Sequence, residues 1–250
     1  MHILKAYWEK RNLGVSCTEI NADLDDTVDD VRAAIRLLSD DYVVAKVPVP
    51  RTDLLFFFQE AGYAVIEVTL RLRMRLRELV YPPLYKRYEK HLTFREAKEE
   101  DVCRIMLEIQ AGVFATDRVS LDPRFTPDQA AIRYRNWVEE ELHRSSKVYI
   151  TMFKSDEIGF SLLRNDGGGR FCGLFGALYS EKNKTALGFA VGLGNMIKAK
   201  ELGGTTIETT VSTNNLAALK MNLSIGYEVS DIFYVLVKHV ESTHISMAGD

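Results

Sequence analysis

Stretches where apolar residues recur every three or four positions alternate along the chain with shorter β-branched runs. These are the signatures of helices and strands packed together. Val28, Val31, Ile35 and Leu38 share one face after Asp25-Asp26-Thr27, predicting a helix over 28–38. Tyr42 to Val47 reads as a strand, Asp53 to Ala61 as an apolar helix stopped by Gly62, and Ala64 to Leu72 as a half-buried strand. Arg71, Arg73, Arg75 and Arg77 alternate with Leu72, Met74 and Leu76. They read as the solvated side of that strand, with a binding stripe as the alternative. Tyr81-Pro82-Pro83-Leu84-Tyr85 interrupts both periodicities and is expected to be a linker.

A second unit opens with a short strand at Leu92-Thr93-Phe94-Arg95 and a helix over Glu99 to Ile109. Thr126-Pro127-Asp128 starts a helix through Leu142, with Pro127 tolerated in its first turn. Val148 to Phe153 and Glu157 to Leu163 form a hairpin pattern, and Phe171 to Tyr179 is a third strand. Gly188 to Leu202 is a helix, Thr205 to Val211 a strand, Asn215 to Ser224 a helix and Glu228 to Lys238 a strand. The order β-α-α-β-β-β-α-β-α-β predicts an α/β (α+β) chain with helices on a mixed sheet. The expected organisation is a small unit over 1–80, a linker over 81–92, a second unit over 93–240 and a loose polar tail over 241–250.

Composition narrows the class of function. The chain has 250 residues, 46% of them hydrophobic and 27% charged, with a net charge of -3. Without a basic field, nucleic acid is not an expected partner. No apolar run is long enough to span a membrane and the N-terminus has no secretory pattern, so a cytoplasmic protein is expected. Cys17, Cys103 and Cys172 are widely spaced and read as buried, reduced thiols, with no metal site.

The chemistry concentrates where a strand runs into a helix. Phe175 to Tyr179 gives way through Ser180-Glu181-Lys182-Asn183-Lys184-Thr185-Ala186-Leu187 to the helix at Gly188. The first amides of a helix lack intrahelical partners and favour an anion such as a pyrophosphate. Gly188 and the small Ala186 permit close backbone approach, and Lys182 and Lys184 add charge. A merely structural joint is the alternative.

Asn183-Lys184-Thr185-Ala186-Leu187-Gly188 resembles the acetyl-CoA loop of the GNAT N-acetyltransferases, Gln/Arg-x-x-Gly-x-Gly/Ala. Asn215-Leu216-Ala217-Ala218 and Gly226-Tyr227 resemble that superfamily's Asn-x-x-Ala and Gly-Phe elements, and the likeness covers 93–240. It implies a mixed, splayed central sheet and acetyl-CoA as acyl donor, without a metal. Pantetheine would bond to Ala177 and Leu178, and the pyrophosphate would lie on amides from Lys184 to Gly188. Asn215 would contact the cofactor arm, cap its helix, or do both. Asn222 stands where many members have the tyrosine that protonates the departing thiolate. An amide hydrogen-bonds to sulfur but does not deliver a proton. Water, Tyr227 or Tyr234 would then be the proton source, or activity has been lost.

Trp8 to Val15, Arg118 to Phe125, Tyr134 to Val138 and Phe233 to Leu236 are similar to GNAT enzymes that acetylate the 4-amino group of a nucleotide-linked deoxysugar. For such an acceptor, Arg118 or Arg124 would hold the diphosphate and Asp117 or Asp122 would orient the amine. Glu208 and Thr210 are further candidates, and an internally bonded loop is the alternative for 116–124. Other readings are a GNAT acting on another small-molecule or peptide amine, a CoA-binding relative with decayed catalysis, and an interaction module without a ligand.

Asp53 to Tyr63 followed by a strand echoes Leu216 to Tyr227 followed by a strand, which marks the N-terminal unit as a degenerate half of the same fold. That unit has no comparable loop, so one cofactor per chain is expected. Asp231 to Lys238 is a candidate edge for a homodimer.

Overall fold

The computed structural model describes residues 1–78, 80–81, 83–182 and 185–240. The expected tail over 241–250 lies outside the described residues. In chain order the elements begin β1 (His2–Lys5), α1 (Trp8–Leu13), β2 (Cys17–Asn21), α2 (Val28–Ile35), β3 (Tyr42–Pro48), α3 (Thr52–Glu60) and β4 (Ala64–Arg75). Next come α4 (Pro83–Tyr88), β5 (Leu92–Glu96), α5 (Glu99–Gln110), α6 (Arg118–Leu121), α7 (Pro127–His143), β6 (Lys147–Phe153) and β7 (Asp156–Gly167). The remainder is β8 (Arg170–Leu178), α8 (Gly188–Glu201), β9 (Thr206–Ser212), α9 (Leu216–Ser224) and β10 (Glu228–His239).

The chain divides into two compact units, one of Met1–Val68 with the residues from Phe233 onward, the other Thr69–Ile232. In the first, β1 pairs with β2, β2 runs parallel to β3, and β3 pairs antiparallel with β10. Ile20, Val43, Ala45, Val47, Leu54, Phe58 and Leu236 form its core. In the second, β4 pairs antiparallel with β9, β9 runs parallel to β8, and β7, β6 and β5 follow antiparallel. The first unit thus takes a strand from a distant part of the sequence, whereas the second is one continuous stretch. This division cuts through β4, whereas composition placed the break at the prolines near 82.

The prolines do not leave a free linker. Pro83 opens α4, where a missing N–H costs nothing, and Tyr85 is buried in the second unit's core beside Tyr81. Pro82 lies outside the described residues. The arginine alternation is as expected: Leu70, Leu72 and Met74 are buried while Arg71, Arg73 and Arg75 are exposed. Cys103 departs from the expectation of three buried thiols. It sits on the outer face of α5, opposite the buried Ile105 and Ile109. The Asp231–Lys238 edge is also not open, since Phe233–His239 is already paired with β3.

The internal echo is visible in backbone geometry. Gly62 ends α3 at φ +84° and Gly226 ends α9 at φ +103°. In both places the next amide bonds back across the last turn, Tyr63 N–H to Phe58 O and Tyr227 N–H to Asn222 O. This is the same helix stop, built on a left-handed residue that glycine adopts without cost. Asn222 therefore corresponds to Phe58 of the first unit.

Candidate functional site

β8 carries an extra residue in its ladder with β7. Leu162 faces Phe175 and Leu163 faces Gly173, so Leu174 is a bulge. A bulge bends its strand and sharpens its twist. Before the bulge, Arg170, Phe171 and Cys172 pair in parallel with Thr206, Ile207 and Glu208, and there the ladder with β9 ends. Both strands continue, β8 to Leu178 and β9 to Ser212, so they part as a V. Six residues at ~3.3 Å each leave about 20 Å of β8 edge past the last rung. Asn195 of α8 braces the bulge, donating from Nδ2 to the Leu162 carbonyl at 3.2 Å.

α8 covers one face of the V. Phe189, Ala190, Leu193 and Met196 are buried against the sheet. The approach is close: a Cβ on Gly176 would meet Val191 Cγ1 at 2.7 Å. At the start of α8 the spacing relaxes, and a Cβ on Gly188 would meet only Leu178 Cδ1, at 3.9 Å. Packing therefore does not require glycine there. The helix has no side-chain cap at Leu187, and Thr185 and Ala186 are exposed. Thr185 bonds back to the Lys182 carbonyl through N–H and Oγ1, turning the loop, while Lys182 pairs with Asp156 at 3.5 Å. Asn183 and Lys184 lie outside the described residues. The loop is anchored at Ser180, whose N–H and Oγ both donate to Glu108 of α5.

Asn215 caps α9, its Oδ1 accepting from Ala218 N–H at 3.0 Å. One N–H of the buried Asn222 donates to the Ala218 carbonyl at 2.9 Å, leaving a second amide hydrogen. Tyr227 is sealed in the core with Met74, Ile207 and Ile225, and burial pushes its phenol far above the usual range. Tyr234 belongs to the other unit and packs against its core. Burial also raises the Cys172 thiol to about 11, so it is not a ready nucleophile.

The 116–124 loop is largely spent on itself. Asp117 caps α6 by accepting from Ser120 N–H and Oγ, and it pairs with Arg133 at 3.3 Å. Asp122 is buried and accepts from Arg124 N–H, and Arg118 is buried too, whereas Arg124 is exposed. On β9, Glu208 pairs with Arg73 of β4 at 2.6 Å and Thr210 is exposed. Phe114, Tyr134, Trp137 and Phe175 form an aromatic wall on the side of β8 away from α8.

No family description matches the chain, and no curated protein matches it by sequence. Its likeness is to solved structures. A GCN5-related N-acetyltransferase from Kribbella flavida superposes with a TM-score of 0.56 at 12% identity, over 90% of this chain and 82% of that one. A tandem GNAT protein of the clavulanic acid biosynthesis pathway gives 0.51 at 13% identity, over 84% and 67%. A glucosamine N-acetyltransferase region of a fungal multi-domain β-N-acetylglucosaminidase gives 0.55 at 14% identity, over 79% of this chain and 25% of that one. The chain has the GNAT fold.

Within the GNAT fold the parted strands of the second unit contrast with the first unit. There β2 and β3 stay paired over five rungs, Cys17–Asn21 against Tyr42–Lys46. The loop that follows β2 carries Asp23, Asp25 and Asp26, with the N-terminal ammonium bound to Asp23 and Asp26. A closed ladder and an acidic loop are the opposite of a pyrophosphate site. Sequence reading missed the bulge and Asn195. Gly173 and Gly176 within a strand were the available signal.

Proposed function

We propose that the chain transfers the acetyl group of acetyl-CoA to a primary amine, with a nucleotide-linked amino-deoxysugar as acceptor. The observation that carries this reading is the V between β8 and β9, which starts at the Leu174 bulge and ends at the first turn of α8. The free edge of β8, including Ala177 and Leu178, supplies backbone groups over a span suited to an extended pantetheine arm. Amides from Ala186 to Gly188, with Lys184 and Asn183 of the same loop, would receive the pyrophosphate. The side-chain amide N–H of Asn215, whose oxygen caps α9, would reach the arm. One acetyl-CoA binds per chain, in the second unit.

Acetyl-CoA supplies the thioester. The amine nitrogen attacks its carbonyl carbon, the C–N bond forms, the C–S bond breaks, and the amine loses a proton. A thiol pKa of about 8.5 makes the thiolate a tolerable leaving group. The remaining amide hydrogen of Asn222 would stabilise that sulfur without protonating it. Glu208 is the carboxylate beside the point of divergence and would accept the amine proton through water. Holding the two reactants in register supplies the larger part of the rate.

The acceptor class rests on residue likeness to TDP-fucosamine acetyltransferase at Trp8–Val15, Arg118–Phe125, Tyr134–Val138 and Phe233–Leu236. The glucosamine-acetylating fungal region is a precedent for an amino-sugar acceptor on this fold. Calorimetric titration with acetyl-CoA tests the donor. Micromolar binding at one site per chain is expected, and no heat at millimolar ligand would sink the reading. Asn222 favours a second reading, a CoA-binding relative without catalysis. Asn222→Tyr separates the two: a large gain in acetyl transfer supports decay, and a loss supports a working amide.

A further inference from the structure

The outward face of β4 and β9 is more basic than a solvated strand face requires. Arg71, Arg73 and Arg75 stand directly across from Thr210, Glu208 and Thr206. Glu208 in turn faces Cys172 in the last rung before the strands part, and Cys172 faces Arg164 on β7. The guanidinium row therefore leads to the mouth of the V, with Arg71 opposite a β9 residue already past the last rung. Arg170, two residues before Cys172, lies on the same face by strand alternation and is exposed. Of the carboxylates near this row, Glu208 is bound to Arg73, Asp231 to Arg71 at 3.4 Å, and Asp166 and Glu141 to Arg164. Arg71 and Arg73 remain 45% and 51% exposed in those pairs. Every outward position of β4 from 71 to 75 is arginine, not lysine. A solvated face is indifferent to that choice, whereas a planar fork is suited to paired oxygens of phosphate or carboxylate.

We propose that this face holds the anionic group of the acceptor, so that the amine substrate is one carrying a phosphate or carboxylate, with Arg71 and Arg75 as its principal ligands and Arg73 orienting Glu208. This rests on the acetyl-transfer reading and moves anion recognition from Arg118, which is buried, to β4. The cations facing the bound anion would be Arg71, Arg73, Arg75 and Arg170, with Glu208 and Asp231 among the opposing charges. The geometry puts the anion on the side of the sheet opposite α8, so it does not compete with the pyrophosphate of acetyl-CoA.

The test uses the full chain saturated with acetyl-CoA, titrated calorimetrically with inorganic pyrophosphate and, separately, with succinate. At least one anion should bind, and whichever does names the phosphate or the carboxylate class. Arg71→Gln with Arg75→Gln should weaken that binding at least tenfold and leave the acetyl-CoA dissociation constant unchanged. Arg71→Lys with Arg75→Lys keeps the charge and fold and should fall in between, because the fork is lost. No binding of either anion to the acetyl-CoA complex, or equal binding by the glutamine variant, would overturn the inference alone. Failure of acetyl-CoA itself to bind would instead overturn the donor assignment, and this inference with it.

Discussion

Gly188 and Gly176 stand on the same side of the V for opposite reasons. A Cβ at 176 collides with Val191 and the Phe160 carbonyl, so that glycine serves packing. Gly176→Ala should destabilise the fold by about 1–3 kcal/mol in chemical denaturation, the usual cost of overpacking. A Cβ at 188 has room, so Gly188→Val should leave the melting temperature within a few degrees while weakening acetyl-CoA at least tenfold. A large loss of stability at 188 would return that glycine to a structural role. The smallness of Ala186 and Gly188 before a helix was legible. The function of Asn222 was not, since an amide in a tyrosine's place reads the same whether it works or has decayed. The burial of Arg118 and Asp122 was equally invisible, because polar loops are ordinarily solvated.

Among the elements, long helices and strands follow from periodicity, and the departures follow from contacts that periodicity does not encode. α2 and α7 begin where Thr27 and Thr126 cap them. β1, α1 and β2 were not anticipated, being too short to show a period. The bulge in β8 faces Leu162 of β7, whose carbonyl accepts from Asn195 of α8. Asn195→Leu should remove its bond to Leu162, cost about 1–3 kcal/mol, and loosen the V enough to weaken acetyl-CoA. Unchanged stability and affinity in that variant would show that the bulge holds itself. The junction of β5 and α5 has a pH signature. The guanidinium of Arg95 holds the Asp101 carboxyl below its ordinary 3.8, aided by the Lys98 amide. A depressed carboxyl contributes stability above its unfolded value and loses it as pH falls through the folded one. Melting temperature should therefore drop below about pH 4, and less steeply in Arg95→Ala, which removes the main cause of the depression.

At the level of the molecule, the GNAT fold was legible from motif order. The partition was not, because strand pairing across some 140 residues leaves no local mark. β9 takes β4 as its antiparallel neighbour, and Leu70, Leu72 and Met74 belong to the same core as α8. A fragment of residues 93–240, the region of family likeness, should thus fail to fold, showing no cooperative melt by circular dichroism where the full chain shows one. A cooperative melt in the fragment would show that β4 is dispensable.

The pairing of β3 with β10 has a consequence for the birth of the protein. As the chain leaves the ribosome, β3 emerges nearly two hundred residues ahead of the strand that will close its edge. Until β10 is released, β3 exposes a row of backbone groups, the kind of template on which unfinished chains adhere to one another. Such distant contacts also slow folding once synthesis is complete. The order of synthesis thus makes the first unit, with its N-terminal strands, the last to be completed.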